Sequence, residues 1–394
     1  MIDIQLLLFI ALILLSTKAL AVFMKRIHLP QVVGALIAGV LLGPAVFNLV
    51  EPNETISVIA EFGVILLLFA AGMETDFRQL RHALKSSLLI SLLGVIAALG
   101  GGFLTAFLFG YPSFESFFIG VIIASMSTSI TVEALHEMGK LKTPVGTALM
   151  GASLFDDVLV IVILAAVMGM GGGGFSIGVL GLTLLKIIIF FAFAVIAGVL
   201  MSKFFNWFTA RFGTRSRLAI FAIAYCFLMA YLAEVLGLAS ITGAYLAGIA
   251  FCTTRCVEVI EHKTHQLSYL FFTPVFLANI GIHTSFDGVT GNIIIFTAVL
   301  VVVAIGSKIV GCGLGAKISK FTSRESLQIG VGMIARGEVS FIVAAKGIMA
   351  GYVASTMYPS VIIVVLITVF LTPLLLKAVF SDKKSEIGTT IGNE

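Results

Sequence analysis

Apolar runs of about twenty residues follow one another along almost the entire chain, and no other feature restricts its fold as much. In hydrocarbon there is no water to satisfy backbone N–H and C=O groups, so a spanning segment must bond within itself. About twenty apolar residues in a helix match the thickness of a bilayer core. Composition agrees: of 394 residues 59% are hydrophobic and 11% charged, against about 25% charged in a soluble domain. The expected class is therefore an all-α, multi-pass membrane protein embedded in a lipid bilayer. The first run, from Ile4 to about Met24, lacks a basic lead and is too long for a signal peptide, so it is expected to stay as a span.

Breaks at charged or Gly/Pro-rich stretches give about thirteen spans, near 4–24, 29–50, 56–73, 84–109, 115–138, 146–170, 175–204, 217–235, 238–257, 267–283, 290–315, 325–350 and 354–379. Lys and Arg sort cleanly between alternate loops. One set holds Lys25 and Arg26, Arg78 to Lys85, Lys140 and Lys142, Lys203 to Arg217, Arg255 and Lys263, and Lys317 to Arg324. The loops around Glu51, Tyr111, Gly172, Asp287 and Gly351 hold none. The positive-inside rule then predicts an outside N-terminus and a cytoplasmic C-terminus in a plasma membrane. Thirteen spans divide as six, a linker and six. That makes 1–380 one transporter domain with oppositely oriented repeats at about 1–170 and 217–380, a linker helix at 175–204, and a short tail at 381–394. The four cysteines lie in or beside apolar segments with no ligand-spaced His or acid nearby, and are expected to be packing residues.

Against this background a few charges lie at depth: Asp156 and Asp157 in span 6, Lys308 in span 11, and Arg336 and Glu338 in span 12. Such a residue costs about 2.5–3.5 kcal/mol on insertion scales, so it needs a partner or a wet cavity. Helical rise puts Asp156 about 15 Å and Lys308 about 11 Å from the cytoplasmic side, near enough to pair. Adjacent residues on a helix diverge by about 100°, so the two aspartates have different surroundings. The economical arrangement pairs one carboxylate with Lys308 and leaves the other open to water and ions. Ser153 shares the face of Asp157. A solvated carboxylate suits a hard monovalent cation and equally a proton, and competition for one carboxylate is sufficient for exchange. At matching depth, span 5 carries Ser125-Met-Ser-Thr-Ser-Ile-Thr131 and span 12 carries Ala335-Arg-Gly-Glu-Val-Ser340. Interruptions at equivalent positions of two repeats point to a transport site.

Asp156-Asp157 within GASLFDDVLVIVILA, Lys308 two spans before the last, and ARGEVSFIV in the penultimate span resemble the second monovalent cation:proton antiporter family, of the NapA and GerN type. LPQVVGALIAGVLLGP, LLLFAAGMETD and ITGAYLAGIAF add to the likeness, which covers nearly the whole chain. The resemblance implies an NhaA/NapA-like antiporter fold, with crossed, broken helices at spans 5 and 12. It also implies a homodimer in which a mobile core moves against a scaffold. By motif position Asp157 is the sodium-binding and proton-binding aspartate and Asp156 the partner of Lys308. Ser127, Thr128 and Ser153 are the nearby hydroxyls, and Arg336 and Glu338 the polar centre of the second broken helix. Paired aspartates with the lysine imply electrogenic exchange of two protons per sodium. Many relatives have threonine where Met126 stands here.

Potassium exchange is the nearest alternative, separated by which cation collapses a preset pH gradient. A sodium-coupled organic-anion symporter shares such folds, and labelled co-uptake discriminates it. A channel is disfavoured by the lysine at the site and by the lack of repeated pore rings. Neither a nucleophile–base set, a metal cluster nor a Gly-rich dinucleotide fingerprint is found, so an enzyme, a cofactor and a nucleic-acid partner are not expected.

Overall fold

The computed structural model describes residues 4–170, 177–212, 218–284, 291–354 and 357–381, and every regular element among them is helical. The chain threads α1 (Ile4–Arg26), α2 (Gln31–Leu42), α3 (Glu54–Glu74) and α4 (Phe77–Leu108). Two short helices follow, α5 (Ser113–Ala124) and α6 (Thr128–Glu137), then α7 (Pro144–Met170) and α8 (Ile177–Phe212). Next come α9 (Leu218–Val235), α10 (Ser240–Phe251), α11 (Val257–Leu267) and α12 (Thr273–Ile282), the last two joined by a π-helical turn at Ser268–Phe272. The long α13 (Gly291–Ile318), the short α14 (Ser323–Gly332) and α15 (Glu338–Met349), and α16 (Tyr358–Phe380) complete the described chain.

Taking α5–α6, α11–α12 and α14–α15 as single passes gives thirteen crossings, in agreement with the hydropathy count. The boundaries differ where polar residues extend a helix beyond its apolar stretch. The fourth span begins at Phe77 rather than near 84, because the Asp76 carboxylate accepts the N–H groups of Arg78 and Gln79 at 2.8 and 3.2 Å and so caps an added basic turn. The second span shrinks to Gln31–Leu42, and the tenth starts earlier with amphipathic α11. Between α9 and α10 the chain turns at Gly237, whose φ of +85° favours glycine.

Two sets of helices pack mainly among themselves. One set is α4, α5, α6, α7, α13, α14, α15 and α16; the other is α1, α2, α3, α9, α10, α11 and α12. Helix α8 touches α7 of the first set and α9 and α10 of the second. The sets meet mainly where α6 and α16 lie against α2 and α3. Within the second set the backbones of α3 and α10 nearly touch: a Cβ on Gly248 would stand 2.2 Å from the Phe69 carbonyl oxygen. Close approach of small residues is the usual way for helices to associate in lipid, where apolar burial gives little drive. Helices α1 and α8 are the least buried long spans, and α8 turns Leu182, Ile188, Val195, Ile196 and Val199 outward, as a lipid-facing helix does. All four cysteines are free; Cys312 fills the space against Gly94 on α4.

Candidate functional site

The site begins with two interruptions. Between α5 and α6, Ser125 (ψ 146°) and Ser127 (φ −105°, ψ 109°) are extended, which ends one half-helix and starts the next. Between α14 and α15 the chain is non-helical through Met333–Gly337. These segments cross and satisfy one another. The Ser127 N–H donates to the Ala335 carbonyl at 2.8 Å, the Thr131 hydroxyl donates to the Gly332 carbonyl at 2.7 Å, and the hydroxyls of Ser125 and Ser340 lie 2.7 Å apart. Irregular backbone at membrane depth survives only with such internal partners. The contact is tight enough to require glycine, since a Cβ on Gly337 would lie 2.5 Å from the Ser127 hydroxyl oxygen. Serine and threonine at the first break therefore replace lost helical bonds with bonds across the crossing.

Each break also leaves half-helix ends inside the protein. At the C-terminal end of α14 the Arg336 guanidinium donates to the carbonyls of Ile334 and Met333. It reaches α13 as well, at the Ala304 carbonyl, 2.9 Å away. A fixed positive charge there offsets the negative end of the helix dipole. Glu338 opens α15, and its side chain lies outside the described residues. The sequence grouped Arg336 with Glu338 as one polar centre; the fold assigns Arg336 to the carbonyl ends of α14 and to α13.

Beside the crossing, α7 presents the two aspartates. Asp156 is fully buried and accepts from the Lys308 ammonium at 2.5 Å, with both side chains sealed from solvent. Arg336 and the Met126 backbone N–H also bear on this carboxylate. Helix α4 packs beside the lysine: a Cβ on Gly94 would stand 3.7 Å from Lys308 Cδ, an ordinary contact, whereas it would meet the Cys312 sulfur at 2.2 Å. The formal charges of Asp156, Asp157, Lys308 and Arg336 cancel, so this buried group is balanced before any ion arrives.

Asp157, one residue on, faces elsewhere. It lies at the floor of a cavity of ≈ 650 Å³ between the two helix sets, whose wall includes Ser57, Glu61, Glu234, Ser240, His283 and Lys346. All of these lie toward loops without Lys or Arg, Lys346 itself standing in the last turn of α15. The cavity therefore opens on the face opposite the basic loops, and Glu61 and Glu234 give it carboxylates near its mouth. A second, water-sized void of ≈ 10 Å³ also touches Asp157, and Thr128, Ser153, Thr242 and Tyr245 line it. Thr242 on α10 donates to the Asp157 carboxylate at 3.4 Å. The Ser153 hydroxyl donates to the Met150 carbonyl at 2.8 Å, so its lone pairs are left for an electrophile. The Thr128 hydroxyl is buried without a hydrogen-bond partner among the described residues. Ser127 is tied to the crossing by its N–H, and its hydroxyl lies 3.1 Å from that of Ser129 in the first turn of α6. Carboxylate and hydroxyl oxygens around a small polar space suit a hard cation. Thr242 and Tyr245 belong to the ITGAYLAGIAF segment. Their contribution was not legible in the sequence, because nothing local shows that α10 faces α7.

Comparison with known proteins adds the family to this fold. The family described as "Sodium/hydrogen exchanger, transmembrane" matches residues 9–381. The "Na(+)/H(+)-K(+) antiporter GerN" of Bacillus cereus is 38% identical over 375 residues, spanning 95% of this chain and 96% of that protein. A "Na(+)/H(+) antiporter" of Enterococcus hirae is 34% identical over 369 residues, spanning 93% and 96%. Among solved structures, the sodium proton antiporter MjNhaP1 from Methanocaldococcus jannaschii shares the fold, with a TM-score of 0.71 at 17% identity over 95% of this chain and 97% of that one. On these matches, which run nearly end to end, the chain belongs to the sodium/hydrogen exchanger family.

Proposed function

We propose that this protein is a secondary antiporter that exchanges sodium ions for protons, with Asp157 carrying either one in turn. The observation that carries the reading is the unequal treatment of two adjacent carboxylates. Asp156 is already neutralised by Lys308 in a sealed pocket, whereas Asp157 stands between an open cavity and a set of hydroxyls. A dehydrated cation at Asp157 gains ligands from Thr128, Ser153 and Thr242 by position. A proton on Asp157 removes the charge that holds the cation, so the two compete.

Alternating access follows from the two helix sets. The cavity opens toward the face without basic loops, and the opposite side is closed where α6 meets α2 and α3. Sliding the set that carries the crossing against the other set exchanges which side Asp157 faces. The Lys/Arg asymmetry supports a plasma-membrane orientation with an outside N-terminus and a cytoplasmic C-terminus. It makes the open cavity external and the repeats 1–170 and 217–380 inverted. One set must stay fixed for the other to move, which favours a homodimer held by the α1–α3 side. Release of the Lys308 proton when sodium enters would make the exchange electrogenic, two protons per sodium.

The deciding measurement uses the purified protein in proteoliposomes with a preset pH gradient, with membrane potential clamped or free. Sodium should collapse the gradient, and faster when the potential is clamped, because the net charge moved by two protons per sodium otherwise builds a potential that opposes it. Indifference to sodium together with a response to potassium would overturn the ion assignment in favour of potassium exchange, a reading that the name of the Bacillus cereus relative keeps in view.

A further inference from the structure

At the far end of α6 from the crossing, three helices bring metal-ligating groups together. Glu74 is the last residue of α3, His136 lies in the last turn of α6, and His265 in the last turn of α11. The Nε2 atoms of His136 and His265 stand 3.3 and 3.4 Å from the same Glu74 oxygen. All three ligand atoms lie within 4.8 Å of one another. A tetrahedral zinc site with bonds of about 2.0–2.2 Å has ligand–ligand edges of roughly 3.3 Å. Two of the three edges already have that length.

The surroundings prepare the ligands. The Tyr269 hydroxyl donates its one proton to the Glu133 carboxylate at 2.7 Å. Its 3.0 Å contact with His136 Nδ1 must then be one that the imidazole N–H donates. That commits Nδ1 to Tyr269 and leaves Nε2, 3.3 Å from Glu74, as the nitrogen a metal ion would take in exchange for its proton, the outer-shell arrangement common to metal-bound histidines. Tyr269 also stacks on His265 at 4.4 Å, which orients the second ring. The group is only partly covered, with His136 and His265 side chains 28% and 25% exposed, so an ion and a water have access. Lys142, 3.9 Å from the other Glu74 oxygen, is a largely exposed and mobile-headed cation that can swing away. Two imidazoles and one carboxylate select a borderline transition-metal dication over sodium, whose preferred donors are oxygens.

The helices involved give the site a consequence. His136 belongs to the set that carries the crossing, Glu74 and His265 to the other set. We infer that Glu74, His136 and His265 form a zinc-type site that pins the two sets together on the side opposite the open cavity and so arrests exchange from that side. The arrest rests on the alternating-access reading above; the binding of metal does not.

Cobalt(II) serves as the probe, because a site of this kind gives visible d–d absorption that zinc abolishes. Purified protein should show the bands, and His136→Gln and His265→Gln should each lose them. Absence of bands in the unaltered protein overturns the site. In everted vesicles, where the basic-loop face meets the bath, zinc should slow sodium-driven proton movement roughly tenfold, within the usual range of site-to-site coupling. The His265→Gln variant, inserted in the membrane and exchanging in the absence of metal, should be slowed less than about twofold. Bands without slowing overturn the arrest. Bands in a protein that exchanges nothing without metal would sink the antiport reading and leave the site standing.

Discussion

The two ends of α6, nine residues apart in one helix, are built on opposite principles. At its first residue the Thr128 hydroxyl is buried with no hydrogen-bond partner among the described residues, beside Asp157 on a water-sized void. In its last turns every acidic or imidazole group is engaged across the gap between the helix sets. Glu133 takes the Tyr269 hydroxyl, and His136 meets Glu74. Glu137 accepts the N–H groups of Gln31 and Val32 at 2.6 and 3.3 Å. Helix α2 starts at Pro30 with no side-chain cap of its own, so Glu137 supplies the missing cap from another helix. A satisfied polar network rigidifies, whereas an unsatisfied one is costly until a ligand completes it. On the antiport reading proposed above, the first end is where an ion is taken up and the last is where one conformation is held.

The largest expected effect comes at the open end. Asp157→Asn should abolish sodium-dependent proton movement in proteoliposomes while the thermal unfolding midpoint stays put; full exchange in that variant would remove Asp157 from the site. Next is Lys308→Ala, which strands Asp156 in a sealed pocket. It should lower stability by about 3–5 kcal/mol, the usual penalty for breaking a buried pair. A melting curve like that of the unaltered protein would show that Asp156 is neutralised by some other route.

The closed end predicts smaller changes of a different kind. Glu137→Ala removes the borrowed cap from α2 and should cost about 0.5–2 kcal/mol, the range for losing an N-cap. It should also shift the protein away from the cavity-open conformation, which labelling of a cysteine introduced at Ser240 reports; an unaltered labelling rate would mean that this contact does not hold the closed side. Smallest is Thr242→Val. The lost hydrogen bond to Asp157 should weaken apparent sodium affinity by roughly two- to tenfold, about 0.5–1.5 kcal/mol, with maximal rate little changed. A change confined to maximal rate would place Thr242 in the movement and not in the ion's shell.

The sequence alone determined that the chain is a helical membrane protein of about thirteen crossings, because hydrophobic length and backbone satisfaction in lipid leave no other solution. It also singled out Asp156, Asp157, Lys308 and the interrupted spans, since a charge or a hydroxyl cluster stands out when nearly everything around it is apolar. Tertiary structure alone decided the partners. That Arg336 closes the end of α14, that Thr242 turns to Asp157, and that Glu133, His136 and Glu137 bridge to Tyr269, Glu74 and α2 are contacts between segments far apart in the chain. Glu133, His136 and Glu137 lie near a span end, where polar residues are ordinary, so no local pattern marks them. Hydrophobic periodicity reports what lies inside a helix and where it meets lipid. Which polar groups face one another depends on how the helices are turned and crossed, and only close packing of the two sets settles that.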